Sequence, residues 1–289
     1  MDDKRYSDLK LGERGAIISI IAYILLSILK LVIGNMSGSE ALKADGLNNT
    51  TDILASVAVL IGLRLSQKPA DDDHLYGHWK SEMVASMVAS FIMAVVGIEV
   101  LSGAVVTLFE GQSHPPDMIA AWTGIFSALV MYFVYRYNKK LALKIKSQSV
   151  MAAAKDNLSD SWVSIGTVIG IIGSQFSLAW LDPLTALIVG ILIIKTAWGI
   201  FREASHQLTD GFDQDLIQEY IVTIDEISGV EGIKDIKART YGNNIVVDIV
   251  ITVDPELNIN DAHDISTRVE KKLEREYEIY DVHVHVEPE

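Results

Sequence analysis

The stretch that decides the fold is "ALKADGLNNTTDILASVAVLIG", residues 41–62, which has the length and ending of a membrane-spanning helix but carries Asp45 and Asn49 inside it. A second stretch, "AAAKDNLSDSWVSIGTVIGIIG" (residues 152–173), has the same construction, with Asp156 and Asp160. A carboxylate in a bilayer is costly, and those found there face a partner, a cavity or a transport path. Asp45 and Asn49 are four residues apart, as are Asp156 and Asp160, so each pair lies on one helical face, one turn above the other. Two such helices facing each other would present three carboxylates and an amide oxygen to a common centre. A divalent cation suits that centre, because the carboxylates would otherwise repel one another. A hydrogen-bond cluster that packs helices is the plainer alternative. An Asp156–Lys155 pair is a poor one, since adjacent residues point about 100° apart on a helix.

The rest of the chain makes the membrane reading general. Of 289 residues, 49% are hydrophobic, and the mean hydropathy is +0.27. Runs long enough to cross a ~30 Å hydrocarbon layer occur six times, near 14–34, 41–64, 81–108, 117–136, 150–174 and 178–200. The first run is too long for a cleaved secretory leader and is expected to stay as a span. The pattern changes at the end of the sixth. Residues 210–289 hold 20 acidic and 7 basic side chains, leaving 18 and 17 for residues 1–209. The expected organisation is an N-terminal tail (1–13), a six-helix transmembrane domain (14–208) and a soluble C-terminal domain (209–289). An acidic tail argues against nucleic acid as a partner and is compatible with divalent cations. The chain has no cysteine, which removes disulfides, thiolate metal sites and cysteine nucleophiles together.

Basic residues set the orientation. Lys4, Arg5, Lys10 and Arg14 precede the first span; Arg64, Lys68 and Lys80 follow the second; Arg136, Lys139, Lys140, Lys144 and Lys146 follow the fourth. The connections near 35–40, 109–116 and 174–180 contain no Lys or Arg. The positive-inside rule then puts both termini and the acidic tail in the cytoplasm of a multi-pass plasma-membrane protein.

Within the tail, Leu216, Ile217, Tyr220, Ile221 and Ile224 recur at helical spacing, as do Ala262, Ile265, Val269 and Leu273. The run "IVVDIVITV" (245–253), which follows a Gly-Asn-Asn turn, and the alternating "DVHVHVE" (281–287) read as strands, with another expected near 232–240. The order helix, strand, strand, helix, strand predicts a small α+β domain with helices over one face of a three-stranded sheet.

Two further clusters carry metal chemistry. Asp71, His74 and His78, in "KPADDDHLYGHWKSE" (68–82), can put three ligands on one tight loop; a solvated acidic loop is the plainer reading. His283, His285 and Glu287 alternate along the last strand and share one face, and Asp248 and His263 could join them; a polar outer face is the plainer reading, and for His283 the favoured one. His114 and His206 stand alone and read as structural or solvent-exposed. The oxygen-only quartet in the spans favours a hard ion such as Mn²⁺, Mg²⁺ or Ca²⁺ over Zn²⁺, which prefers imidazole and thiolate.

These motifs resemble those of the cation diffusion facilitators from end to end: "ADGLNN", the Asp71–His78 loop, "DNLSD", "WLDPLTAL" opening the sixth span and "LTDG" leaving it. The resemblance implies six spans followed by an αββαβ, metallochaperone-like cytoplasmic domain. It implies a homodimer that exports cytoplasmic divalent metal in exchange for protons by alternating access, hence a secondary transporter and not an enzyme. Asp45, Asn49, Asp156 and Asp160 fall on its transport site, and Asp71, His74 and His78 on its loop site. Asp248, His263, His285 and Glu287 fall near its tail site. Asp156 replaces the His of zinc-moving relatives, so Mn²⁺ is the expected substrate, with Zn²⁺, Fe²⁺, Co²⁺ or Cd²⁺ efflux as the alternative. Lys234 stands where a tail ligand is expected, Lys80 and Asp210 match a charge interlock, and Trp79 stands where relatives often have Gly. A remote alternative, an intramembrane aspartyl protease, needs a close carboxylate dyad, and no "GxGD" occurs.

Overall fold

The computed structural model describes residues 2–66, 68–110, 115–145, 148–176, 178–241 and 244–289, with side chains placed except at 2–14, 16, 59, 60, 63, 66, 145, 148, 149 and 152. His114, Lys146 and the turn residues Gly242 and Asn243 therefore lie outside the described residues, as do the side chains of Lys4, Arg5, Lys10 and Arg14. Six long helices come first: α1 (Asp2–Ser37), α2 (Glu40–Ser66), α3 (Ser81–Glu110), α4 (Ile119–Ile145), α5 (Gln148–Ser174) and α6 (Leu181–Leu208). The N-terminal tail expected apart from the first span continues it as helix.

Among the described residues, four segments are long and apolar enough to cross a membrane: Ile17–Ser37, Ser81–Glu110, Ile119–Lys144 and Leu181–Leu208. They belong to α1, α3, α4 and α6. The two helices left over, α2 and α5, are the ones whose apolar runs are broken by Lys43, Asp45 and Asp52, and by Lys155, Asp156 and Asp160. They are the chemistry-bearing pair.

The chain divides into two compact units, residues 1–58 with 88–200 and residues 59–87 with 201–289. In the first, Ala41 and Leu42 of α2 pack against Ala120 and Ala121 of α4 and against Val168 and Ile171 of α5. Ala44, also on α2, packs against Val100 and Ala104 of α3 and Ala186, Val189 and Ile193 of α6. Small residues let these helices approach closely, as bundle interfaces in membranes require: a Cβ on Gly124 would meet Val168 at 2.6 Å, and one on Gly170 would meet Thr185 at 2.2 Å. The outward side of α1 is the opposite, with Ile21, Leu25, Ile28 and Val32 exposed at helical spacing, a face suited to lipid.

The start of α2 is anchored by Asp182, the acid of "WLDPLTAL", which is fully buried. It accepts hydrogen bonds from Ser39 Oγ (2.6 Å), the Glu40 amide (2.7 Å) and the Ala41 amide (3.4 Å), while Ser39 Oγ accepts from the Leu42 amide at 3.0 Å. A carboxylate satisfying the orphan amides at a helix start is favoured by hydrogen bonding and by the helix dipole. α6 thereby fixes where α2 begins, and so the depth at which its polar residues lie.

The second unit contains the tail, which has the expected order: α7 (Gln214–Asp225), β1 (Gly232–Tyr241), β2 (Asn244–Val253), α8 (Ile259–Tyr277) and β3 (Asp281–Pro288). β2 is central, antiparallel to β1 and parallel to β3. Tyr220 and Ile224 of α7, with Ile265, Val269 and Leu273 of α8, cover Val247, Ile249, Ile251 and Val282 on one face of the sheet. Asn258 caps α8 by accepting from the Asn260 and Asp261 amides. The pairing register slips between Ile233 and Asp235, leaving Lys234 as the extra residue of a bulge.

Candidate metal-binding sites

The polar residues of α1, α2 and α5 form two tiers at different depths. α1 and α2 run in opposite directions, as do α2 and α5, so the tiers can be followed along all three. In one tier, Tyr23 of α1 donates a 2.6 Å hydrogen bond to Asp160 Oδ2 and Asn48 of α2 donates to Asp160 Oδ1 at 3.2 Å. Asp52, one turn beyond Asn48, lies close enough for its charge to interact with those of Asp160 and Asp156, and its Oδ2 is buried without a hydrogen-bond partner. Asp160 is 7% exposed, whereas Asp156 is exposed. The tier thus offers four oxygen-bearing side chains, 48 and 52 on α2 and 156 and 160 on α5, with an open edge at Asp156.

Behind Asp160 stands a hydrogen-bonded support. Asn157 Nδ2 donates to the Tyr23 hydroxyl at 2.9 Å, and Asn157 Oδ1 accepts from Asn138 Nδ2 (2.9 Å) and Ser19 Oγ (3.1 Å). Asn138, from α4, also donates to Ser19 at 2.8 Å. Tyr23, Asn157 and Ser19 each use both a donor and an acceptor, Asn138 donates only, and the chain of bonds ends on the Asp160 carboxylate. Such supports orient a ligand and tune its basicity.

The other tier holds Asp45 and Asn49. Their partner is Lys30 of α1, whose ammonium lies 2.9 Å from Asp45 Oδ1 and donates to Asn49 Oδ1 at 2.6 Å and to Ser164 Oγ of α5 at 3.0 Å. Lys30, Asp45, Asn49 and Ser164 have no exposed surface. This corrects the expected quartet. Asn48, not Asn49, touches Asp160, and Asp45 is compensated by a lysine. Residues 45, 48, 49 and 52 all fall within one broad helical face, so i,i+4 spacing admits either 45/49 or 48/52, and only the depth of α5 against α2 separates them. Lys30 and Tyr23 escaped the sequence reading as well. A lone Lys in the first apolar run was the signal for one; a Tyr there has none.

The loop between α2 and α3 gathers its expected ligands. Among the described residues, Asp71, His74 and His78 are the one group of three His, Asp or Glu whose ligand atoms all lie within 4.8 Å of one another. His74 Nδ1 lies 3.0 Å from Asp71 Oδ1, and His78 Nε2 lies 3.5 Å from Asp71 Oδ2. Asp71 Oδ1 also accepts from the amides of His74 and Asp73, which closes the turn. Hydrogen bonding to His74 holds the Asp71 carboxyl below the usual carboxylate range, despite some desolvation acting the other way. By the same 4.8 Å measure, Asp52, Asp156 and Asp160 do not converge, as expected of like charges whose hydrogen-bond donors are Tyr23 and Asn48.

In the tail, the four expected ligands are not brought together within one subunit. Asp248 is bonded by Arg239, and Glu287 by Lys234 at the bulge. The Lys234 hydrogen bond, followed by its charge, keeps the Glu287 carboxyl below its ordinary range. His263 lies exposed on α8, His285 Nε2 is 3.8 Å from Glu287, and His283 Nε2 is 3.1 Å from Asp281. Within one subunit, two of the four expected ligands are thus held in ion pairs with Lys234 and Arg239.

The remaining motifs have structural roles. Lys80 Nζ is 2.7 Å from Asp210 Oδ1 and lies over the Tyr241 ring. Trp79 sets its ring edge-on to Tyr280 and Tyr241, at 4.7 and 6.1 Å between centroids. That packing accounts for an indole where relatives often have Gly. His206 packs on Gly211, the glycine of "LTDG", where a Cβ would sit 2.2 Å from the ring.

Comparison with known proteins agrees with this layout. Residues 16–209 match the cation efflux transmembrane domain, and residues 212–289 match the cytoplasmic domain of cation efflux proteins. The manganese efflux system protein MneS of Bacillus subtilis is 57% identical over 99% of this chain and 98% of its own length. The uncharacterized transporter YdbO of the same organism is 53% identical, covering 99% of each chain. The manganese efflux system protein MneP, also from B. subtilis, is 30% identical over 96% of this chain and 97% of its own. A membrane bundle that buries carboxylates, joined to an acidic αββαβ domain and matched end to end by these models, belongs to the cation efflux family, the cation diffusion facilitators: it is a multi-pass membrane transporter of divalent cations with a cytoplasmic C-terminal domain, and not an enzyme.

Proposed function

We propose that this protein exports Mn²⁺ from the cytoplasm in exchange for protons, and that Asn48, Asp52, Asp156 and Asp160 hold the ion. The observation that carries the reading is the tier in which Asn48 reaches Asp160 beside a buried, unpartnered Asp52 oxygen. All four donors are oxygen, the set suited to hard dications such as Mn²⁺. The names of two relatives, at 57% and 30% identity, refer to manganese efflux. The ion enters past exposed Asp156. Its binding displaces protons, because carboxylate ligands must be ionised. Movement of the helices then exposes the tier to the far side, where returning protons release the ion. Asp71, His74 and His78 hold a second dication on the cytoplasmic loop. The protein works as a homodimer in the plasma membrane, with both termini in the cytoplasm, and the acidic tails draw metal towards it.

The test is reconstitution. Proteoliposomes with an acidic lumen should take up Mn²⁺ and lose luminal protons in step with it, so that the lumen alkalises. Asp52→Asn and Asp160→Asn should each abolish uptake. Full uptake by both variants would remove the proposed site, and a competition series with Zn²⁺, Fe²⁺, Co²⁺ and Cd²⁺ would rank the substrate.

A further inference from the structure

Lys30 presents a buried ammonium with three oxygens around it, from Asp45, Asn49 and Ser164, at 2.9, 2.6 and 3.0 Å. An ammonium has three N–H donors and no acceptor; it donates to Asn49 and Ser164, and it meets Asp45 as an ion-pair partner. The geometry is that of a cation in a small oxygen cage, and the cage joins three helices: α1 carries the charge, α2 the carboxylate and amide, α5 the hydroxyl. Neither Asp45 oxygen has a hydrogen-bond donor in good geometry. Among the described residues, Lys30 is the one cation in ion-pair contact with that carboxylate, and its charge also reaches Asp160 and Asp52.

Asp45 and Asp52 lie on one face of α2, seven residues or about 10 Å apart along the axis. A hard dication binds oxygens at roughly 2–2.6 Å, so one ion cannot be shared by both carboxylates. The bundle therefore contains two oxygen clusters along one helix face. We infer that Lys30 is a resident cation that occupies the Asp45–Asn49 cluster, keeps those oxygens out of the substrate's coordination shell, and so confines the transported dication to the Asn48–Asp52–Asp156–Asp160 tier. Lys30 is a positioning residue under this inference, which rests on the transport site proposed above. Without it, Asp45 becomes a bare carboxylate one step from the substrate, and a dication that moves there is held too tightly to turn over.

Full-length protein in proteoliposomes, with Mn²⁺ as the probe, decides it. Lys30→Met should bind extra Mn²⁺ without turnover, and Vmax should fall on the order of tenfold, a size usual for coupled neighbours, with no rise in KM. Asp45→Asn should act in the opposite sense, raising KM because an ammonium without its carboxylate repels the ion. Lys30→Met/Asp45→Asn should return KM, Vmax and the amount of bound Mn²⁺ to within about threefold of wild type. A helix brace with no role in siting the ion would give losses of one sign that neither partner rescues, and that result overturns the inference. If Lys30→Met does not fold, the other two variants still decide. A KM raised by Asp45→Asn and restored in the double variant supports the resident cation. A KM raised equally in both overturns it, because Asp45 would then hold the substrate itself. Asp52→Asn, assayed alongside, reports separately on the transport site: retained uptake there fails that site, whereas lost uptake with a silent Lys30→Met fails only the resident cation.

Discussion

Replacing Tyr23 by Phe removes one oxygen and little else, and the structure says where the consequences go. The hydroxyl donates to Asp160 Oδ2 at 2.6 Å and accepts from Asn157 Nδ2 at 2.9 Å. A hydrogen bond to a charged group contributes about 1.5–3 kcal/mol in soluble proteins, but interhelical bonds in membrane bundles average nearer 0.6 kcal/mol and reach about 1.7. The stability loss should therefore be about 1 kcal/mol, enough to lower the unfolding temperature by a few degrees and not to unfold the bundle. The effect on the ion should be larger. Removing a group that orients a metal ligand typically costs 10- to 100-fold in affinity, and Asp160 would keep Asn48 as its one remaining donor in this tier. Tyr23→Phe should thus raise the KM for Mn²⁺ uptake by about 10- to 100-fold in proteoliposomes while thermal unfolding in detergent shifts only slightly. An unchanged KM would refute the idea that the Tyr23–Asn157–Asn138 chain orients a working ligand. A large stability loss with a proportionate fall in uptake would refute it too, since the residue would then serve packing alone.

Three other perturbations probe separate parts. Asp182→Ala removes the acceptor of three bonds at the start of α2 and should cost about 1–2 kcal/mol by loss of the cap, with slower Mn²⁺ uptake as α2 shifts; wild-type thermal unfolding would count against the cap. His74→Ala/His78→Ala should eliminate one Mn²⁺-binding event seen by calorimetry while transport continues, and loss of uptake would show that the loop belongs to the transport path. The Lys234–Glu287 pair gives a pH signature. Glu287 is depressed by Lys234, so its contribution to the folded tail is present above the unfolded carboxylate range and disappears as pH falls through the depressed value. Lys234→Ala should then be slightly less stable than wild type at neutral pH and indistinguishable from it in strong acid; a difference that persists in acid would rule out this linkage.

The secondary structure and chain organisation were legible because they depend on local pattern. The change from apolar runs to an acidic, alternating chain marks where the tail begins, and the 3.6- and 2-residue periods of Leu216–Ile224, Ala262–Leu273 and Val282–Val286 place its helices and its last strand. The loop triad was legible for the same reason, since the eight residues Asp71–His78 hold all three side chains. The tail ligands were not. Spacing aligns Asp248, His285 and Glu287 with a site, yet a one-residue bulge turns Lys234 towards Glu287 and Arg239 closes on Asp248.

The membrane tier marks the boundary most sharply. From the sequence alone it follows that the carboxylates of α2 and α5 need partners within the bundle, because a bilayer makes a bare carboxylate costly. Which oxygens meet does not follow. A helix repeats its face every three to four residues, so Asp45/Asn49 and Asn48/Asp52 satisfy the same pattern, and only the axial offset between helices selects one. That offset is set by contacts distant in sequence: Asp182 seats the start of α2, and Lys30 comes from α1 to meet Asp45. Periodicity determines direction around a helix; tertiary packing decides depth along it.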